Sequence, residues 1–330
     1  VGKHGSGAGL CEQQVVFMAK KSSRISSAEK KRLAYALIAL VTAAILLIIP
    51  RTRNRVLEYL GFFDTDSPQA EIPDGEIAVH FIDVGQGDAE LIMTSDGKTV
   101  LIDSGTPESR TVLTGYLKEQ GVKKIDYFVL THPHADHIGG AAAVLDAFDV
   151  VNVIMTDAPT TISTYKKVLQ KIDEKDCGVI FAEAGKEYSL GEAKITILGP
   201  VSDYSDDLNN TSIVLRLTYG RTAFMFTGDA EKKAEQDMLT KFPASYFRAD
   251  VLKLGHHGSS NSTSDGWFFA VSPEYAVISC GRNNDYGHPH REILSLLKKN
   301  GTTYFRTDTD GSIVMSSDGE SVKIISPSRR

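Results

Sequence analysis

Residues 125–137 read IDYFVL THPHADH: a six-residue run, apolar except for Asp126, followed at once by Thr131, His132, Pro133, His134, Ala135, Asp136 and His137. The run has the composition of a buried strand. The seven residues after it hold four groups that can donate to a metal. Three of the chain's nine histidines fall within six residues, which no packing pattern requires. Neutral imidazole suits zinc and manganese, and the carboxylate hardens one position for a divalent ion. His132 and His134 can face one ion. Asp136 and His137, displaced around the turn into the next helix, can face a second.

Further groups stand at other strand ends. Thr227-Gly228-Asp229-Ala230 follows the strand-like TAFMF. Asp229 also precedes a helical stretch, so helix capping and ligation are both open for it. Leu254-Gly255-His256-His257-Gly258-Ser259 follows ADVLK. Adjacent histidines are expected to point to opposite sides, so one of the two ligates and the other contacts substrate or is structural. Gln86 and Asp88 lie in a Gly-rich turn that either lines the site or is a plain turn. Tyr286 and His288 can bind a phosphoryl oxygen. His80 and His290 are read as structural.

Around these groups strands and helices alternate. Strands are expected over 76–84, 87–95, 98–103, 125–130, 150–155, 193–198, 211–219, 222–228, 249–255 and 274–279, with three more near the C-terminus. Helices are expected over 107–120, 138–148, 161–173, 230–241 and 290–299. Mixed clusters of this kind favour two sheets covered by helices.

The head of the chain is a different object. Leu33 to Ile49 reads LAYALIALVTAAILLII, closed by Pro50. Seventeen uncharged residues reach the lower limit for a membrane-spanning helix. A cleaved signal peptide would place a small-residue cleavage site where IIPRTRNR stands, and a core helix would lack such basic flanks. We read an uncleaved anchor over 33–50, a basic cytoplasmic tail over 1–32 and a polar stalk over 51–75. Residues 1–17 differ in character from the MAKKSSRISS that follows, and they are set aside together with Cys11 and His4. Six basic residues between 20 and 32, against Arg51, Arg53 and Arg55 after the span, place the rest of the chain outside the cell membrane.

Charge follows the same division. Ten of the 36 basic residues but only three of the 42 acidic ones fall in residues 1–59, leaving 26 against 39, a net of −13, beyond them. That balance is ill suited to tight non-specific binding of duplex DNA. Three scattered cysteines give neither a disulfide framework nor a CxxC site. No GxSxG nucleophile elbow is present.

In order, DVGQGDA (83–89), VLIDSG (100–105), THPHADHIGG (131–140), NNTSIVL (209–215), TGDAE (227–231), LKLGHHGS (252–259) and YGHPH (286–290) resemble the metallo-β-lactamase superfamily. Within it they resemble the hydrolase domain of ComEC-type DNA-uptake competence proteins. The resemblance covers roughly residues 76–325, within a domain expected over 76–330. It implies an α/β chain folded as an αββα sandwich, with the site at one edge between the sheets. His132 and His134 then match one metal position. Asp136 and His137 match the other, completed by His257 or, alternatively, His256. Asp229 matches the carboxylate shared by both, and Asp103 matches a structural aspartate supporting the metal loop.

The pattern also implies two divalent ions, zinc first and manganese second, with Asp136, Asp229 and His288 catalytic. Asn210, Ser212, Tyr286, Gln86 and Asp88 are expected on the substrate side. One departure is plain: the superfamily often has a further histidine before the shared aspartate, and 138–228 contains none. His288 or His290 could compensate. The expected activity is phosphodiester cleavage of extracytoplasmic, single-stranded DNA in a competence-related role. The alternatives are hydrolysis of a small cell-envelope phosphoester such as a choline-phosphate ester, and a non-catalytic accessory domain of a DNA-uptake channel.

Overall fold

Along Ile77–Phe81 every residue is buried, which happens only when both faces of a strand are covered. Ile77, Val79 and Phe81 turn to one apolar layer. His80 turns the other way, where its Nδ1 lies 2.8 Å from the Tyr116 hydroxyl. The computed structural model describes residues 72–158 and 160–326, within one compact unit, Pro68–Arg330. The expected tail, the membrane anchor and all but the last four residues of the stalk lie outside the described residues. Among the described residues no helix is long and apolar enough to cross a membrane.

Among the described residues fifteen strands form two sheets. The first contains β1 (Ile77–Phe81), β2 (Glu90–Thr94), β3 (Thr99–Ile102), β4 (Lys124–Val129), β5 (Asp149–Met155), β6 (Gly178–Phe181), β14 (Ile313–Ser317) and β15 (Val322–Ser326). Their order is β15-β14-β1-β2-β3-β4-β5-β6, parallel from β3 to β6. The second holds β7 (Glu187–Leu190), β8 (Ala193–Gly199), β9 (Val214–Tyr219), β10 (Thr222–Phe226), β11 (Val251–Lys253), β12 (Tyr275–Ile278) and β13 (Thr303–Arg306). Its order is β13-β12-β11-β10-β9-β8-β7, parallel from β10 to β13.

The sheets meet through alternate residues of each strand. Phe224 and Phe226 face the shared layer, while Ala223 and Met225 face away. The rings of Phe81 and Phe226 stack across the layer, 5.9 Å apart. Truncating either to Ala would cost roughly 3–5 kcal/mol.

Helices α1 (Arg110–Glu119), α2 (Ala135–Ile138), α3 (Ala141–Ala147) and α4 (Ser163–Glu174) belong to the first sheet's outer side. Helices α5 (Lys232–Lys241), α6 (Asp265–Val271) and α7 (Arg291–Lys299) cover the second. A single turn, α8 (Thr307–Asp310), joins β13 to β14. Helix, sheet, sheet, helix is the layering that the resemblance implied.

Four elements differ from the sequence expectation. The helix expected over 138–148 is two short helices broken at Gly139-Gly140. A Cβ on Gly139 would lie 2.3 Å from Pro107 N, and one on Gly140 would lie 2.4 Å from Ser104 O. The break lets the loop after β3 press against the loop that carries the histidines. Strands β6 and β7 and helix α6 were not anticipated. We expect Gly139→Ala to destabilise the protein by about 1–3 kcal/mol. Thermal unfolding checks this, and an unchanged midpoint would mean that the Pro107 loop yields freely.

Candidate metal centre

In open α/β sheets ligands gather beyond the carboxyl ends of parallel strands. Here Asp103 follows β3, His132 follows β4, Asp229 follows β10, His257 follows β11 and Ser279 follows β12, all converging on one edge of the sandwich. Among the described residues three groups of ligand-type atoms result, one of them the fully buried Asp88, Asp103 and His137, and the other two overlap. Asp136, His137, Asp229 and His257 form one, with their donor atoms within 4.8 Å of one another. His132, His134 and Asp229 form the other. Asp229 is common to both.

Three of the four imidazoles are held by their far nitrogen, whereas His134 Nδ1 lies 2.9 Å from His132 Nε2. His137 Nδ1 donates to Asp103 Oδ2 at 2.7 Å. His257 Nδ1 donates to Ser279 O at 3.0 Å. His132 Nδ1 lies 3.2 Å from Thr131 Oγ1 and 3.3 Å from Ser212 Oγ. Such outer contacts leave the Nε2 lone pairs facing inward, as metal ligation requires. The inward distances are short: His137 Nε2 to Asp229 Oδ2 is 3.2 Å, His132 Nε2 to the same oxygen 3.8 Å, and His257 Nε2 to Asp136 Oδ2 3.3 Å.

Two of the converging atoms, His137 Nε2 and Asp229 Oδ1, are buried without a hydrogen-bond partner. Orphaned buried groups are costly, and here they are the atoms a cation would satisfy. The donor set fits a pair of divalent ions.

The Gly255–Gly258 turn is unusual. His256 and His257 both take left-handed backbone angles, φ 48° and 55°. Adjacent side chains in an extended segment diverge, but here both rings reach the same carboxylate. His257 Nε2 lies 3.7 Å from Asp229 Oδ1 and His256 Nε2 lies 3.7 Å from Asp229 Oδ2. Only His257 falls within a ligand group. His256 Nδ1 is 3.2 Å from Glu231 Oε1.

The outer residues divide. Asp103 is fully buried and accepts from Thr131 N at 2.8 Å and Thr131 Oγ1 at 2.6 Å as well as from His137. His288 is buried beside the site, with its ring 5.5 Å from that of His256 and its Nδ1 unpartnered. Tyr286 is 66% exposed and its ring stacks on His288 at 5.6 Å. Ser212 Oγ accepts from Asp229 N at 3.0 Å, orienting the shared carboxylate.

Asn210, expected on the substrate side, is instead committed to structure. Its Oδ1 accepts from Glu231 N and Ala234 N at the start of α5, and its Nδ2 donates to Asp207. Asp88 is likewise occupied, 2.6 Å from Lys253 Nζ, and both are buried. Gln86 Oε1 accepts from Gly281 N at 3.0 Å. His290 Nδ1 accepts from Ser260 N, and His80 is buried against α1. Lys253 was missed, because a lysine inside an apolar strand shows its role only through its partner.

Electrostatics match a site built for cations. Burial opposes charge on His137, but Asp229 and Asp103 outweigh it and hold the imidazole well above its ordinary value. Burial likewise opposes charge on His257, yet Asp229 and Asp88 raise it to about 10. Without metal the carboxylate charge is balanced by protons on these two imidazoles. The raised His257 value adds stability to the metal-free protein below pH 6.5, and that stability is lost as pH climbs toward about 10. Metal affinity runs the opposite way, rising across the same window as ligand protons leave. We expect zinc binding at pH 7 to release about two protons. Calorimetry in buffers of different ionisation enthalpy measures this; zero release would mean that His137 and His257 do not ligate.

Comparison with known proteins bears on the family and the fold. The sequence profile described as "Metallo-beta-lactamase superfamily" matches residues 82–282. The chain is 33% identical over 252 residues to ComE operon protein 3 of Bacillus subtilis, covering 71% of this chain and 32% of that protein. It is 33% identical over 281 residues to competence protein ComA of Neisseria gonorrhoeae, covering 84% and 38% respectively. The chain thus spans about a third of the length of these relatives. Among solved structures, the metallo-β-lactamase fold protein YhfI from Bacillus subtilis aligns with a TM-score of 0.50 at 15% identity. It covers 73% of this chain and 100% of its own, a likeness of fold alone.

Proposed function

The chain belongs to the metallo-β-lactamase superfamily, and from that premise we propose that it is a two-metal phosphodiesterase acting on extracytoplasmic single-stranded DNA. The observation that carries the reading is the sharing of Asp229 between the two ligand groups. Two divalent ions held there would supply an activated water and charge stabilisation for the departing oxygen. Zinc suits the imidazole-rich set, with manganese the alternative.

The residues around them do the rest. Asp136, only partly buried and 3.3 Å from His257, orients a nucleophile at the mouth of the site. Burial first, then His257, His256 and His290, bring the His288 pKa down to about 4, so its imidazole is neutral at pH 7. A neutral imidazole beside the ligands donates a hydrogen bond to a phosphoryl oxygen. Tyr286, stacked on it and exposed, offers a flat surface to a nucleobase. Similarity to competence proteins supports DNA as the substrate. The apolar run 33–49 between basic clusters supports a single-pass anchor with the hydrolase outside the cell membrane. Protease added to intact cells should then remove the domain; protection until lysis would reverse the topology.

The net of −13 beyond residue 59 favours a second reading, a small phosphoester such as a choline-phosphate ester of the cell envelope. The deciding assay compares single-stranded DNA with choline-phosphate esters, with zinc and manganese added separately. Turnover of the small ester alone selects the second reading. A chain that binds two ions yet turns over neither is an accessory domain of an uptake channel.

A further inference from the structure

Asp88 and Lys253 are 165 positions apart, and their Oδ2 and Nζ stand 2.6 Å apart with both side chains only 1% exposed. Asp88 lies just before β2 of the first sheet, and Lys253 is the last residue of β11 in the second. Among the described residues no other Lys or Arg ion pair is so deeply buried. Burying two charges costs most of what their attraction returns, so such a pair is a poor device for stability alone.

Its position suggests what it is for. Asp88 Oδ1 lies 3.2 Å from His257 Nδ1. The Asp88 backbone N–H donates to the carbonyl of Asp136 at 3.2 Å, and its own carbonyl accepts from Gly105 N at 2.8 Å. The neighbouring Gly87 sits so close that a Cβ there would lie 2.3 Å from the Asp136 carbonyl oxygen. One residue thus touches the backbone of Asp136, on α2 beside the first sheet, and the ring of His257, from the second sheet. Those sheets supply opposite halves of the four-ligand group: Asp136 and His137 from one, Asp229 and His257 from the other.

We propose that the Asp88–Lys253 pair is a positioning strut that sets the spacing of the two sheets at the four-ligand group and aims His257 into it. Lys253 anchors Asp88 and touches no substrate. The inference rests on the two-metal reading above.

The test strips the full chain of metal and titrates it with zinc, and with cobalt for its visible spectrum. The proteins are wild type, Lys253→Met, Asp88→Asn and the double variant, each at a temperature where it is folded. The wild type should bind two ions. Each single variant should bind one ion normally and the second roughly 10–100-fold more weakly. Each should also unfold at a lower temperature, because one buried charge is left unpaired. The double variant removes both charges and should recover the unfolding temperature. Its second ion should stay 10–100-fold weak, with an altered cobalt spectrum. If the double variant regains wild-type affinity for the second ion, the pair is structural only and the inference is overturned. A wild type that binds a single ion would overturn the two-metal reading itself, and the inference with it.

Discussion

Asp229→Ala should leave the protein without stoichiometric metal at either position and reduce kcat on a phosphodiester by roughly a thousandfold or more. The size follows from the geometry. Asp229 alone belongs to both ligand groups, with Oδ2 facing His132 and His137 and Oδ1 facing His257. Its removal takes an anionic donor from each position and leaves the imidazoles facing one another with nothing to balance a bound cation. Loss of a charge-stabilising centre is worth several kcal/mol in the transition state, and each 1.36 kcal/mol is tenfold in rate. His288→Ala is the control. That ring belongs to neither group; it stacks on Tyr286 and meets His256 edge-on, so its loss should mainly raise KM, with metal content intact. The measurements are metal per chain and kcat and KM at saturating metal. Two bound ions and near-normal kcat in Asp229→Ala, with both ions lost in His288→Ala, would move the centre from Asp229 to the His288 segment.

The contrast between these residues marks how far the sequence could be read. Four ligand-type residues directly after an apolar strand could be recognised from spacing alone, since a strand end and one helical turn fix where they point. Asp229 was ambiguous locally, because an aspartate before a helix caps as readily as it ligates. In the fold α5 starts at Lys232, and Asn210 accepts from the Glu231 and Ala234 N–H groups, so that aspartate is free for other work. Strands β6 and β7 escaped because each lies at a sheet edge with most of its residues exposed or half-buried, which erases the buried alternation. Helix α6 escaped because Ser264-Asp265-Gly266 reads as a turn, although Ser264 in fact caps it by accepting from Trp267 N. The double left-handed turn at His256-His257 and the Asp88–Lys253 pair have no local signature. The first is imposed by how the loop meets Asp229, the second by two sheets meeting 165 residues apart.

Asp103 gives the sharpest separation between holding the fold and holding the metal. It is fully buried at φ 54°, where Asp pays less than most residues. Its Oδ1 accepts from Thr131 N, while Oδ2 accepts from both Thr131 Oγ1 and His137 Nδ1. Asp103→Ala strands all three donors in the interior, and we expect a loss of roughly 3–5 kcal/mol in the metal-free protein. Asp103→Asn should be far milder on stability, about 1–2 kcal/mol, since its amide oxygen can still accept from Thr131 N. The amide nitrogen would then meet His137 Nδ1, donor against donor. Relief comes if His137 moves its proton to Nε2, which removes the lone pair that faces Asp229. Zinc affinity at the four-ligand group should therefore fall roughly 10–100-fold in the Asn variant despite its near-normal fold. Thermal unfolding without metal and zinc titration of both variants separate the two effects. An Asn variant that binds two ions as tightly as the wild type would show that Asp103 only braces the Thr131 turn, and that the His137 tautomer is set elsewhere.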